Sequence, residues 1–297
     1  MRPFRALVLY FIAVFVGGGL LAPWLYWACL HLGLHSAIFA SLASNPFRRF
    51  VGRAVLGVAI IGLWPLLRSC QMLRWRDLGL SWRGRPLLAM AFGFAVGFLS
   101  LALVAILACW LGGRFYVSGT PWRDIAKLFL KSTTAAAIVA VLEEFIFRAT
   151  LFGILRKAQS WPVALVVSSA VYALVHFIQN TSIGGPVHWL SGLVLLGRMF
   201  QAGPAFVPAG LTLFLAGSAL ALAYQRTGTL FFSIGLHAGW IFWLKSYGFF
   251  TAKIPTASTV LWGSDRLIDG WLALPILGGV CWMVSRLKPA TGEPHAS

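Results

Sequence analysis

Residues 87–113 read LLAMAFGFAVGFLSLALVAILACWLGG, 27 positions without a charge. A helix rises about 1.5 Å per residue, so roughly 20 apolar residues cross the hydrocarbon core of a bilayer. This stretch reads as a membrane span, and others flank it. With histidine taken as neutral, no charge occurs from Ala6 to Phe47, 42 residues. The first span is expected from Ala6 to about Cys29, with His31 to Phe47 amphipathic or partly re-entrant. Arg2 and Arg5 ahead of it fit a retained anchor better than a cleaved leader, because no early small-x-small cleavage site follows. The composition agrees. Of the 297 residues, 59% are hydrophobic and 10% charged, and the mean hydropathy is +0.83. Soluble domains carry roughly 25% charge, and disordered chains lack such apolar content. Both classes are excluded.

Further spans are expected at Val51–Leu67, Ser132–Leu155, Pro162–Ile178, Ala205–Gln225, Leu230–Leu244 and Gly270–Ser285. Between them, Arg68–Pro86 holds five arginines and reads as a loop. Thr120–Lys131 reads as a separate short surface helix, with Pro121 in its first turn and an apolar stripe of Trp122, Ile125, Leu128 and Phe129. Thr181–Gly203, with Gly184-Gly185-Pro186, reads as irregular or half-inserted. The fold class is all-α, a polytopic integral membrane bundle of about eight transmembrane helices. The chain divides into N-terminal helices and a basic loop (1–131), a core (132–245), and a last helix and tail (246–297).

The charge balance is 24 Lys+Arg against 7 Asp+Glu, net +17. In a soluble protein this excess would suggest nucleic acid. Here the cations sit in the breaks between apolar runs, so membrane lipids are the expected partners, not nucleic acid. The early basic segments place the N-terminus in the cytoplasm, although the sum over all loops does not decide it. Cys29, Cys70, Cys109 and Cys281 match no metal or redox spacing.

An ionisable side chain inside a span is costly and marks function by default. Residues 141–148 read VLEEFIFR and hold three: Glu143, Glu144 and Arg148. Glu144 and Arg148 are four apart and share a helix face, so they can pair. Glu143 points about 100° away and lies outside that pair. A carboxylate in apolar surroundings suits a general base. The competing reading is a structural ion pair that packs helices together.

Two of the six histidines fall within spans. His176 follows Val171-Tyr172-Ala173-Leu174-Val175, and His237 lies in Ser233-Ile234-Gly235-Leu236-His237-Ala238-Gly239. From the helix starts, Glu143, His176 and His237 lie about 17, 21 and 11 Å along their axes. At similar depth they could meet in a wet cavity, activate water and stabilise an oxyanion. They could equally bind zinc as two histidines and a carboxylate.

The motifs resemble those of the CPBP family of intramembrane proteases, which includes the CAAX prenyl protease type II enzymes and the bacterial Abi proteins. That family carries E-E-x-x-x-R, then F-x-x-x-H, then H-x-x-x-N or D. Here Glu143-Glu144-x-x-x-Arg148 matches, Tyr172-x-x-x-His176 has tyrosine for phenylalanine, and His237-x-x-x-Ile241 lacks the amide or acid. The resemblance covers about Ser132 to Lys245, making 132–245 a CPBP/Abi-like catalytic core. It implies Glu143 as the base that activates water, Glu144 and Arg148 as its support, and His176 and His237 as oxyanion partners. Asn180 and the Trp240 indole are candidates to replace the donor missing at Ile241. The implied activity is a hydrolase, an endopeptidase of a membrane-embedded or lipid-anchored peptide, acting near its C-terminus. No cofactor is certain. If a divalent metal such as zinc is used, Glu143, His176 and His237 would hold it. The expected location is a bacterial inner (plasma) membrane, multi-pass. The alternative is a non-catalytic immunity, scaffold or transport protein that keeps Glu144–Arg148 as a structural pair.

Overall fold

The long apolar runs have no polar partners for their backbone except their own, so they fold as helices. The computed structural model describes residues 3–82, 84–117, 119, 121–177, 182–198, 207–264 and 266–288. In chain order the helices are α1 (Pro3–Ile12), α2 (Gly18–Gly33), α3 (Ala37–Ala43), α4 (Phe47–Ser69), α5 (Pro86–Trp110), α6 (Trp122–Glu144), α7 (Gly153–Ala158), α8 (Trp161–His176), α9 (Ser191–Arg198), α10 (Val207–Thr227), α11 (Phe231–Phe250), α12 (Thr259–Trp262) and α13 (Ala273–Ser285). Two wider π turns join helices end to end, Ala13–Gly17 between α1 and α2 and Phe145–Phe152 between α6 and α7. Two three-residue strands, β1 (Arg114–Tyr116) and β2 (Thr251–Lys253), pair antiparallel with Phe115 opposite Ala252.

By length and hydropathy, four helices among the described residues can cross a membrane: Pro3–Gly33, Phe47–Ser69, Pro86–Trp110 and Val207–Thr227. The apolar helices Trp161–His176 and Ala273–Ser285 are shorter. The eight spans counted from the sequence add to these six the two helices that carry the ionisable residues, α6 with its extension and α11. The chain is an integral membrane protein of the helical class.

Two sequence expectations change. The surface helix expected at Thr120–Lys131 does not stand alone: α6 begins at Trp122 and runs unbroken through Lys131 to Glu144. Lys127 and Lys131 interrupt the apolar pattern, not the backbone. Part of the irregular stretch 181–203 is helical, since α9 spans Ser191–Arg198. The β1–β2 pairing joins segments more than 130 residues apart and has no local sequence signal.

Packing divides the chain into two compact units. One comprises Met1–Leu73 and Leu174–Pro204, the other Arg74–Ala173 and Ala205–Ser297. In the first unit α2 packs on α4. Gly18 lies so close to Val55 that a Cβ would overlap its backbone, and the Tyr10 hydroxyl donates to the Ala59 carbonyl at 2.9 Å. Gly19 and Gly192 let α2 and α9 approach in the same way.

The second unit is organised on α5 and α11, which run parallel. Gly93 and Gly97 face α11, and Gly235 and Gly239 face α5. A Cβ at Gly235 would overlap the Met90 carbonyl oxygen, and one at Gly97 would overlap that of Leu236. This is the close approach that small-xxx-small pairs permit in membranes, where helices gain little from hiding apolar surface. At the strand end the pair is clasped by β1 and β2. There Arg114 is buried yet satisfied, donating to the Thr251 hydroxyl at 3.0 Å and its carbonyl at 3.1 Å, with its guanidinium over the Tyr247 ring.

Candidate active site

The site is built where α6 stops being regular. Glu143 and Glu144 are the last residues of α6, and the π turn begins at Phe145. A single π segment inside a helix is rare and tends to sit at functional sites. Here it carries Arg148 and buries six consecutive residues, Phe147 to Phe152.

Glu144 and Arg148 are almost wholly enclosed, with side chains 0% and 2% exposed and an N–O separation of 3.3 Å. Arg148 has further company. It donates to the Gly217 carbonyl on α10 at 3.3 Å, and its guanidinium lies 4.5 Å from the centre of the Tyr172 ring. A buried cation survives only with such compensation.

His237 reaches this pair from α11. Its position between Gly235 and Gly239 places it on the helix that α5 holds most closely. Its Nδ1 lies 2.9 Å from Glu144 Oε1. With the Glu144 carboxylate at Nδ1, Nε2 is turned to the other side. On that side are the Tyr172 hydroxyl at 3.3 Å and Glu143 Oε2 at 3.7 Å. The Glu143 side chain is 24% exposed against 0% for Glu144. Two adjacent glutamates therefore differ in environment: one is enclosed in a charge pair, and the other has partial access to the outside.

Of the five residues singled out, the structure brings together Glu143, Glu144, Arg148 and His237. His176 is the half-buried last residue of α8 and falls, by packing, in the first unit. Of the two substitutes considered for the donor missing at Ile241, Asn180 lies outside the described residues. Trp240 is committed elsewhere, because its Nε1 donates to the Ser100 hydroxyl on α5 at 2.9 Å. That contact corrects the expectation for Trp240, whose indole fastens α11 to α5. The sequence reading missed Tyr172 as a polar participant. The hydroxyl that distinguishes it from the family's phenylalanine is what touches His237.

Among the described residues no group of three or more His, Cys, Asp and Glu side chains is gathered for a metal. The pair Glu143 and His237 nevertheless fits one as part of a set. Its two donor atoms face each other at 3.7 Å, and the rear nitrogen of His237 is oriented by a carboxylate, a common arrangement for a metal-bound histidine.

Residues 125–243 match the Rce1-like family model, described as type II CAAX prenyl endopeptidase Rce1-like. The matched segment contains all five site residues and supports the resemblance to CPBP and CAAX proteases drawn from the motifs. No curated protein and no solved structure matches the chain significantly.

Proposed function

We propose that this Rce1-like chain is an intramembrane endopeptidase. Its substrate is a membrane-bound or lipid-anchored peptide, cut near the C-terminus by water that Glu143 activates. The observation that carries the reading is the division of labour between neighbours: Glu144 is enclosed by Arg148 and His237, while Glu143, whose side chain is 24% exposed, turns its buried Oε2 to His237 Nε2. In this reading Glu143 takes a proton from water, and the hydroxide adds to the scissile carbonyl carbon. His237 stabilises the oxyanion, and the proton passes from Glu143 to the departing amine as the C–N bond breaks. Arg148 and Glu144 hold the imidazole in place. His176 enters through its motif alone. A divalent metal such as zinc would take Glu143 and His237 as ligands, and when bound it would acidify water and polarise the carbonyl. We take the core as 132–245, within a multi-pass protein of about eight spans in a bacterial inner (plasma) membrane.

A second reading, a non-catalytic membrane protein, is favoured by one observation. Ile241 offers no donor, and the Trp240 indole is already used. Comparative membrane proteomics separates the two readings. A deletion strain is compared with the same strain carrying Glu143→Ala. Identical loss of C-terminally processed peptides in both, with Glu143→Ala protein at normal abundance, is the expected result. A Glu143→Ala strain that processes its membrane proteins like the parent leaves the non-catalytic reading.

A further inference from the structure

At the end of the second unit away from the strands, the start of α5 meets the ends of α10 and α13. A cleft of about 480 Å³ opens there. Leu88, Phe92, Phe232 and Leu287 form apolar walls, and Arg85 and Lys288 stand at its edge. Phe92 and Leu88 are more than half exposed, although they lie on a membrane-spanning helix. Arg85 immediately precedes Pro86, the first residue of α5, and Lys288 follows the end of α13, so both cations sit where the apolar helices stop. Neither pairs with a carboxylate among the described residues. From Arg85 to Phe92 the wall runs seven residues, about 10 Å of helix.

We infer that this cleft binds one anionic phospholipid, with its phosphate between Arg85 and Lys288 and an acyl chain along Leu88, Phe92 and Phe232. The argument is complementarity. Two cations without a carboxylate partner among the described residues select a negative headgroup, and the apolar walls beside them select the first part of a chain. A soluble anion would leave the walls uncovered, and a neutral lipid would leave the charges unanswered. Basic pockets between membrane helices recognise anionic lipids in this way.

The test uses the purified full chain in detergent, with dioleoylphosphatidylglycerol and dioleoylphosphatidylcholine as probes, and native mass spectrometry to count retained lipid. The parent is expected to keep one phosphatidylglycerol and no phosphatidylcholine. Arg85→Gln with Lys288→Gln should lose it, at roughly fivefold per charge removed. Ala89→Trp, which fills the cleft and leaves the charge unchanged, should lose it as well. Arg156→Gln with Lys157→Gln, at the end of α7, should retain it. If Ala89→Trp does not accumulate, Phe92→Ala at an exposed wall position makes the same comparison. Unchanged retention in the cleft variant would show diffuse surface attraction and overturn the proposal. Equal retention of phosphatidylcholine, or displacement by glycerol phosphate, would overturn it too.

A separate observation concerns the chemistry, and this second inference rests on the protease reading. The Tyr172 phenol reaches the face of His237 that Glu143 occupies, and it is held rigidly, with Arg148 over its ring and Phe147 packed edge-on at 5.1 Å. We infer that the Tyr172 hydroxyl donates a hydrogen bond to the oxyanion and is a catalytic residue. With a quenched membrane peptide taken from the proteomic comparison, in proteoliposomes, Tyr172→Phe should lower kcat about 10²- to 10³-fold and leave KM nearly unchanged. The ring, its stacking and the folded yield are kept. Full kcat in Tyr172→Phe, or a rise in KM alone, overturns this assignment while the protease reading stands. Cleavage that survives Glu143→Gln, or is absent in the parent, overturns both.

Discussion

Two helices bring charge to the site, and they do so by opposite means. α6 delivers Glu143, Glu144 and Arg148 by giving up its regular geometry, since it passes into a π turn directly after the two glutamates. α11 delivers His237 by staying regular and being held from outside, through glycines that touch α5 and an indole bonded to Ser100. One element is deformed and sealed by its own ion pair. The other is straight and fixed by a neighbour. Polar groups buried among apolar helices can therefore be positioned by local distortion or by remote clamping, and the two devices should respond differently to mutation.

The largest expected effect is on the deformed side. Arg148→Ala leaves Glu144 enclosed without its cation, and breaking a buried pair costs roughly 3–5 kcal/mol. Folded protein in the membrane should fall sharply, whereas Glu143→Ala should keep normal abundance. Equal losses in quantitative immunoblots of membrane fractions would end the distinction between the two glutamates. Next comes the clamped side. Gly235→Val inserts a branched side chain where the Met90 carbonyl already lies, and overpacking of this kind costs about 1–3 kcal/mol. The expected result is a lower melting temperature with activity per folded molecule reduced as well, because His237 moves with its helix. If thermal stability falls and specific activity holds, α5 is not what positions His237.

A smaller effect is expected at the indole. Trp240→Phe removes one hydrogen bond, about 1 kcal/mol. Ser100 keeps its own bond to the Gly97 carbonyl at 2.8 Å. Stability should drop slightly and turnover should stay near that of the parent. A collapse in turnover at constant stability would return Trp240 to the chemistry. The last case is Ile241→Asn, one helical turn beyond His237. It should alter peptide turnover by tenfold at most, since one hydrogen bond contributes about 0.5–1.5 kcal/mol and about 1.4 kcal/mol is tenfold in rate.

The sequence was legible where spacing alone decides the outcome. The i, i+4 relation placed Glu144 against Arg148, and uncharged runs placed the membrane helices. It was illegible where the outcome depends on a distant partner. Gly93, Gly97, Gly235 and Gly239 are visible as pairs spaced by four, but nothing in either segment says that it meets the other. The tyrosine at 172 read as a mild change from phenylalanine because its hydroxyl matters only once His237 lies beside it. The π turn has no signature in VLEEFIFR. The break expected before Ser132 followed from the charges of Lys127 and Lys131, whose long stems can lead a charge toward the membrane surface without ending the helix.

The parallel contact between α5 and α11 also bears on biosynthesis. About 140 residues separate Gly93 from Gly235, and chains fold from the N-terminus as they emerge. α5 must wait in the bilayer, its glycine face without its partner, until nearly the whole chain has been made. His237 then arrives with α11 and meets Glu143 and Glu144 for the first time. A ribosome stalled anywhere before α11 releases a chain with both carboxylates and no imidazole partner from this helix. Until α11 is made, the contact between Glu143 and His237 does not exist.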